Sequence, residues 1–400
     1  MGVNNFTDVL EIIKELKQQT NSLRDFYVVK SPIGLIFLGD HTHYNDGILI
    51  SAAVDKYTWV AIRKRTDDKI NLYRKDTNKV LSFTLSQIEN LTHETGFKMA
   101  IGLIKLLKDE KLLTSGFDCI IDFSTPQWLG LGVLAAQQMA TIIGMKKIFG
   151  INYPIDNLIN LVKRNENNLI GKISNTALHN TSVFAKNDKL ILTDLRYKQH
   201  KNIPFNGKDY KIVICNTNVQ IEHVEKICNE RIEECEVGVK GLRLYIWGIK
   251  NLRDVQLDFL MRHIHMLPRK IFSRVLYNVN ERIRAENALK LLKKNNYEEF
   301  GALINQSHNG LSIDYEISDP KVDFIVAQAM NLKGVIGSKM ISCSPIRSTF
   351  HLVESAYVEN FVDKIKKTYY NQYNNELDVH ILNISKGIEI IPSKKLNYSY

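Results

Sequence analysis

An apolar, β-rich run over 117–123 passes through Ser124-Thr125-Pro126 into a stretch over 130–143 that is rich in Ala, Leu, Gln and Met and favours helix. Strand, tight loop and helix in that order set backbone N–H groups beside a helix N-terminus, which is a phosphate-binding context. This feature commits the chain to a mixture of helix and strand, and the flanking sequence agrees. Val9, Ile12, Ile13 and Leu16 recur at helical spacing and predict an amphipathic helix over 8–19. Strands are expected over 26–29, 35–38, 48–54, 58–62 and 189–195, with a helix over 95–107. Further on, short β-rich runs at 210–215, 335–341, 349–353 and 378–384 alternate with helical ones near 220–238, 269–295, 319–331 and 355–370. A chain of 400 residues suffices for two domains, expected over 1–196 and 197–400. No linker rich in Pro, Gly or Ser separates them, so they should pack closely. The tail after Ile391 is expected to fray.

The apolar fraction of 44% and charged fraction of 24% are those of an ordinary globular protein. A net charge of +10 invites a nucleic-acid or membrane partner. Lys and Arg are nevertheless interleaved with Asp and Glu along the whole chain, so the charge reads as a solvated basic surface. No helix-turn-helix, RNP motif or basic stripe interleaved with aromatics appears, which leaves a nucleic-acid-binding protein as a distant alternative. No apolar run of about 18 residues predicts a membrane span, and no basic-then-apolar leader is visible. Five cysteines (Cys119, Cys215, Cys228, Cys235, Cys343) without CxxC spacing argue against disulfides and zinc and fit a reducing cytoplasm.

The stretch Ser31-Pro-Ile-Gly-Leu-Ile-Phe-Leu-Gly-Asp40-His41-Thr42-His43-Tyr44-Asn45-Asp46-Gly47 resembles, without a gap, the galactokinase signature APGRVNLIGEHTDYNDG. From Phe300 to Pro320 the chain reads FGALINQSHNGLSIDYEISDP, similar to the family's FGxLMNESHxSLxxDYEVSxPE, which favours galactokinases over other GHMP kinases. Blocks at 126–136 and 334–353 also align, so the resemblance runs from about residue 20 to 370. It implies an α+β, two-domain GHMP kinase fold: an N-terminal α/β domain like ribosomal protein S5, a C-terminal α/β domain with an antiparallel sheet, and a site in the cleft between them. It also implies ATP and Mg²⁺ as cofactors.

Phosphoryl transfer to a sugar needs a base or charge beside the attacking hydroxyl, cations on the moving phosphoryl group, and N–H groups with Mg²⁺ to hold the triphosphate. The resemblance places the family's first-motif arginine at Gly34. Asn165-Glu166-Asn-Asn-Leu-Ile-Gly171 falls on AExxFxG, and counting on without a gap puts Leu178 at the catalytic aspartate. Leu192-Thr-Asp-Leu-Arg196, on the family's LIDCR, supports that register. Neither replacement carries charge. His179, next to Leu178, and His43 are the candidate bases, although a histidine beside Leu178 reads more simply as structural. The phosphate loop PxGxGLSSSAA has become Pro126-Gln-Trp128-Leu-Gly130-Leu131-Gly132-Val133-Leu134-Ala-Ala136, in which Trp128 replaces a glycine and the three serines are gone. Trp128, Gly130, Leu131 and Gly132 are what is left of a phosphate cradle. Glu166 survives at one magnesium position, a poor site without its partner.

The sugar positions are mixed. Asp40 and His41 are kept or conservatively changed, His43 stands for the aspartate that fixes the sugar, and Cys228 stands for the sugar-binding tyrosine, with Asn229 and Arg231 retained. HxH spacing alone is not read as a metal site, because alternate residues on a strand face opposite ways. In the glycine-rich closing motif, Gly334 to Met340 is intact but Ser342 to Ser348 has lost its glycines, and Arg347 reads as a surface side chain. An adenine partner is missing unless Phe97 supplies it. The sequence therefore predicts a catalytically degenerate galactokinase relative that binds a sugar-like or other small polar metabolite as a sensor or as the partner of another protein. An active ATP-dependent sugar kinase with a repurposed site is the alternative.

Overall fold

Two long strands with buried residues on both faces organise the first half of the computed structural model, which describes residues 11–18, 26–91, 96–123, 132–171, 174–342, 344 and 346–393. In chain order come helix α1 (residues 11–18), strands β1 (Phe26–Leu38), β2 (Ile48–Lys64), β3 (Lys69–Arg74) and β4 (Lys79–Thr84), then α2 (Lys98–Asp109), β5 (Phe117–Phe123), α3 (Val133–Phe149), α4 (Ile155–Ile170), α5 (Thr176–Phe184), β6 (Lys189–Asp194) and β7 (Gln199–Pro204). The remainder runs β8 (Tyr210–Gln220), α6 (Val224–Leu242), α7 (Leu257–Arg262), α8 (Arg269–Lys293), α9 (Tyr297–Asn309), α10 (Pro320–Met330), β9 (Val335–Met340), β10 (Ile346–Glu354), α11 (Val358–Tyr373), β11 (Asp378–Leu382) and β12 (Glu389–Pro392).

The first sheet has the order β12-β1-β2-β5-β3-β4, with β6 pairing the start of β2 and β7 pairing β6. Its pairings are antiparallel except β3 with β5. The second sheet, β11-β8-β10-β9, is antiparallel throughout. The two strands expected at 26–29 and 35–38 are one continuous β1. Pro32 has no N–H to give the ladder, and the register shifts between Pro32 and Ile33 instead of the strand ending. Likewise 48–54 and 58–62 are parts of one β2, which pairs with β1 on one edge and with β6 and then β5 on the other.

Helices α3 and α5 cover one face of β1 and β2, and α2 and α4 close that layer. Their apolar faces join Val60, Ile62, Leu103, Ile104, Met139 and Val162 in one core. On the other side, Phe37, Ile50, Ile212, Ala285, Phe300 and Phe350 belong to one buried cluster drawn from both sheets and from α8 and α9. The halves thus share a core, as the missing linker suggests. The expected division at residue 196 differs from the sheets: β7 and β12, both beyond it, are strands of the first sheet, and β12 pairs with β1. A stretch that completes an open sheet edge satisfies backbone groups the edge would otherwise leave to solvent. Residues 394–400, part of the tail expected to fray, lie outside the described residues.

Helix α9 reaches β9 through a side chain that is not there. A Cβ on Gly301 would lie 2.0 Å from the Ile336 carbonyl oxygen. Gly301→Ala should therefore cost about 1–3 kcal/mol, seen as a lower urea midpoint at unchanged m-value; an unchanged midpoint would show the packing to be looser than described.

Candidate functional site

The hairpin between β1 and β2 is a tight loop, and its residues explain its shape. Gly39 has φ +95, and a Cβ there would lie 2.4 Å from the Ile48 carbonyl oxygen, so only glycine fits. The Thr42 hydroxyl donates to the Gly39 carbonyl at 2.7 Å. Asn45 donates to Asn278 of α8 at 3.1 Å, and its oxygen accepts the Leu252 N–H at 3.3 Å. Asp46 accepts from Asn251, and Arg253 donates to the Asp46 carbonyl at 2.7 Å. The threonine of the HTHYND string thus holds the loop, and its asparagine and aspartate tie the first half of the chain to the second.

Beneath this loop lies a buried charge cluster. Lys339 of β9, with no exposed surface, pairs with the Asp40 carboxylate and stands 3.9 Å from Glu281 of α8. Glu281 in turn accepts the Gly39 N–H at 2.8 Å, the Ser307 hydroxyl at 2.8 Å and Arg284 Nε at 2.7 Å. Burial pushes the Glu281 carboxyl up, but Arg284, Lys339 and the two hydrogen bonds outweigh it and hold it below its ordinary value. Tyr277 donates to the Asp40 carbonyl at 3.0 Å, and Ser342 donates to the Asp40 carboxylate at 2.9 Å. His41 is neutral: burial first, then Lys339 and Arg231, lower it to about 3.

A cavity of about 190 Å³ opens beside Asp40, between the halves. Asp40, His41, His43 and Ser342 line one end; Glu166, Ser174, Asn175 and His179 line the other; Gly34, Gly132, Leu134, Leu178 and Ile341 form the wall between. Gly34 and Leu178, the expected replacements for the catalytic arginine and aspartate, face each other in that wall. A Cβ on Gly34 would lie 2.9 Å from Leu178 Cδ2, and one on Gly132 would lie 3.2 Å from the same methyl. Gly132 N–H donates to the Gly34 carbonyl at 2.9 Å. The N–H leading into α3 is thereby spent on β1.

At the far end, Glu166 of α4 accepts from Ser174 Oγ at 2.5 Å and pairs through its other oxygen with His179 Nε2 at 3.0 Å. Both residues are buried. His179 Nδ1 has no partner among the described residues. These residues do not fit Mg²⁺. Both Glu166 oxygens already accept hydrogen bonds, and Gly132, Val133 and Leu134 offer no side-chain oxygen where the family has serines. Among the described residues, no group of three His, Cys, Asp or Glu side chains is placed to hold a metal ion.

The cavity brings together Asp40, His41, His43, Glu166, His179 and Gly132 of the residues singled out in the sequence. Cys228 is buried on α6 and does not line it. Trp128, Gly130 and Leu131 lie outside the described residues. Two readings are corrected. Arg347 is buried, at 8% exposure, because β10 is the inner strand between β8 and β9. Phe97 is packed into the first core beside α2, so it is not available to a nucleotide base. Lys339, Glu281, Ser174 and Ser342 were not singled out; a charged residue inside a helix or strand run looks like surface until its partner across the fold is known.

Residues 17–64 match the model for the galactokinase galactose-binding signature. The chain is 28% identical over 376 residues to a galactokinase of Roseiflexus sp. (strain RS-1), covering 94% of this chain and 96% of that protein. The crystal structure of Lactococcus lactis galactokinase complexed with galactose superposes with a TM-score of 0.90 at 24% identity, covering 95% of this chain and 99% of the other. Methanococcus jannaschii mevalonate kinase superposes with a TM-score of 0.63 at 18% identity, covering 90% and 98%. No helix among the described residues is long and apolar enough to cross a membrane.

Two outcomes follow from the buried charges. Lys339→Met strands Asp40 and Glu281 without their shared cation and should cost about 3–5 kcal/mol in urea unfolding; a loss under 1 kcal/mol would show the cluster to be solvated. The second concerns acid. His41 and His351 both titrate near 3 in the fold against 6.5 for a free imidazole, in each case mainly through burial. The unfolded chain therefore holds more protons between those values. Their contribution is intact above 6.5 and is lost as pH falls, by up to about 1.4 kcal/mol per pH unit for each histidine. Unfolding free energies measured from neutral pH down to about pH 5 should show this slope, and His351→Gln should flatten it.

Proposed function

We propose that this galactokinase-like protein of the GHMP kinase superfamily binds a small polar, sugar-like ligand in the cavity between its halves and does not transfer a phosphoryl group. The observation that carries the proposal is the contact of Gly34 with Leu178. Where the family pairs an arginine with an aspartate, this chain has a bare backbone against a methyl group. Losing a charge stabiliser costs roughly 10²–10³ in rate, and losing a general base roughly 10²–10⁴. The two replacements fit one another, as expected of a site reshaped and not merely damaged. The Mg²⁺ position adds to this, because Glu166 is engaged by Ser174 and His179 and the loop serines are absent. The galactose complex of the Lactococcus lactis structure supports a sugar-type ligand, and the retained Asp40 and His41 line the same cavity. A sensor, or the partner of another protein, is the role this leaves. The buried free thiols of Cys119, Cys215, Cys228 and Cys235 suit a reducing cytoplasm.

One observation favours a second reading, an active kinase with a repurposed site. The 3.0 Å contact of Glu166 with His179 is the geometry of an acid that orients a base. A coupled assay with MgATP and galactose separates the two readings. The first expects a rate at least about 10³-fold below ordinary sugar-kinase turnover; turnover in the ordinary range of about 1–10³ s⁻¹, abolished by His179→Ala, would establish the second.

The facing pair makes its own prediction for stability. Gly34→Arg alone should destabilise the protein, because its Cβ collides with Leu178. Leu178→Asp in the same chain should recover part of that loss, with a coupling of about 0.5–3 kcal/mol in a double-mutant cycle. Additive effects would mean that the two positions do not share space.

A further inference from the structure

The polar groups of the cavity are almost all short of the same thing. Ser342 spends its hydroxyl proton on Asp40, and Ser174 spends its proton on Glu166. Each serine then turns only acceptor lone pairs to the space beside it. His179 faces the Glu166 carboxylate through Nε2, so Nε2 carries the hydrogen in the neutral ring and Nδ1 is left as an acceptor. That nitrogen is fully buried and has no partner among the described residues. Asn175 is the exception: its side-chain oxygen accepts the Ala177 N–H, which leaves its amide N–H groups as donors.

Charge points the same way. Two carboxylates, Asp40 and Glu166, border the cavity, and no lysine or arginine is among its described lining residues. Lys339 neutralises Asp40 from below and is fully buried. Glu166 has no lysine or arginine among its described partners, which are a serine and a histidine. A buried carboxylate with an adjoining acceptor nitrogen and serine oxygen asks for a donor that is also positive. A phosphate ester, which is negative and rich in acceptors, is the poorest match.

We propose that the ligand carries a protonated amine, as an amino sugar or amino polyol does, and that the amine seats at the Glu166–His179–Ser174 end of the cavity. An ammonium group brings three N–H donors and no acceptor, the complement of what that end presents. The apolar wall of Leu134, Leu178 and Ile341 suits the C–H face of a ring between the two polar ends. This inference rests on the binding role proposed above and names the class of ligand for it.

The test is titration calorimetry on the full chain with three probes: D-galactosamine, D-galactose and D-galactose 1-phosphate, in neutral buffer, where most of the amine is protonated and a free imidazole is mostly neutral. Galactosamine should bind about tenfold more tightly than galactose, the effect of one charge-assisted contact, and galactose 1-phosphate should bind most weakly. Glu166→Gln should bring the galactosamine-to-galactose ratio to within about twofold of unity, whereas Ser174→Ala, which keeps the carboxylate, should preserve the preference. Thermal unfolding of both variants checks that the fold is retained, and Ser174→Ala with a lost preference would count against the assignment even if Glu166→Gln failed to fold. Equal affinity for galactosamine and galactose, preference for the phosphate ester, or no binding of any probe overturns the inference. Turnover with MgATP would overturn the proposed absence of phosphoryl transfer and leave the order of affinities to be read on its own.

Discussion

Lys339 has no route to solvent, and a buried ammonium must be matched by charge and hydrogen bonds or it will not stay charged. Its partners come from three places: Asp40 in the β1–β2 hairpin, Glu281 on α8, and the Phe37 carbonyl at 3.4 Å on β1. Much of the molecule follows from that match. Glu281 draws in Gly39, Ser307 and Arg284, which sets α9 beside α8 and pins the hairpin from below. Asp40 draws in Ser342, which brings the end of β9 to the rim of the cavity. The two halves of the chain are therefore joined by ions as well as by the shared apolar cluster around Phe37, Phe300 and Phe350. The ion cluster specifies one mutual placement, while the apolar cluster supplies most of the burial.

This division shows which residues of the galactokinase-like signature the fold itself uses. Thr42 holds the loop, and Asn45 and Asp46 dock it to Asn278, Asn251 and Arg253. Gly34, Gly132 and Leu178 hold nothing in place by charge. They are free to become a small apolar wall, provided they change together, because a side chain at Gly34 and the leucine at 178 would claim the same volume. Gly34, Gly132 and Leu178 line the cavity whereas Thr42, Asn45 and Asp46 do not, and the two groups differ in whether the fold leans on them.

The fold was largely legible in the sequence. Apolar period and β-branched content located β5, α3 and the strands of the second sheet, the resemblance implied that this sheet is antiparallel, and the motif at 31–47 fell where the cavity is. The misses have physical causes. The strands expected at 26–29 and 35–38 are one, because β1 absorbs Pro32 with a register shift. The edge strand β7 is mostly exposed and polar and β12 is only four residues long, so nothing local announces that they complete the first sheet. Of the site, Asp40, His41, His43, Glu166 and His179 were visible as candidates. Lys339 and Glu281 were not, because their meaning is a distance across the fold, and Arg347 read as surface because charge is usually solvated.

Glu166 illustrates how such a site changes its use. A buried carboxylate has to find donors within the fold or else lose its charge. Here Ser174 and His179 supply them, and α4 and α5 are thereby fastened together at the cavity wall. That repair has a chemical consequence. Each proton given to Glu166 is one that does not face the cavity, so Ser174 and His179 leave acceptor atoms on their other sides. On the proposed reading, the contacts that keep Glu166 satisfied within the fold would also favour a positively charged, donor-rich guest.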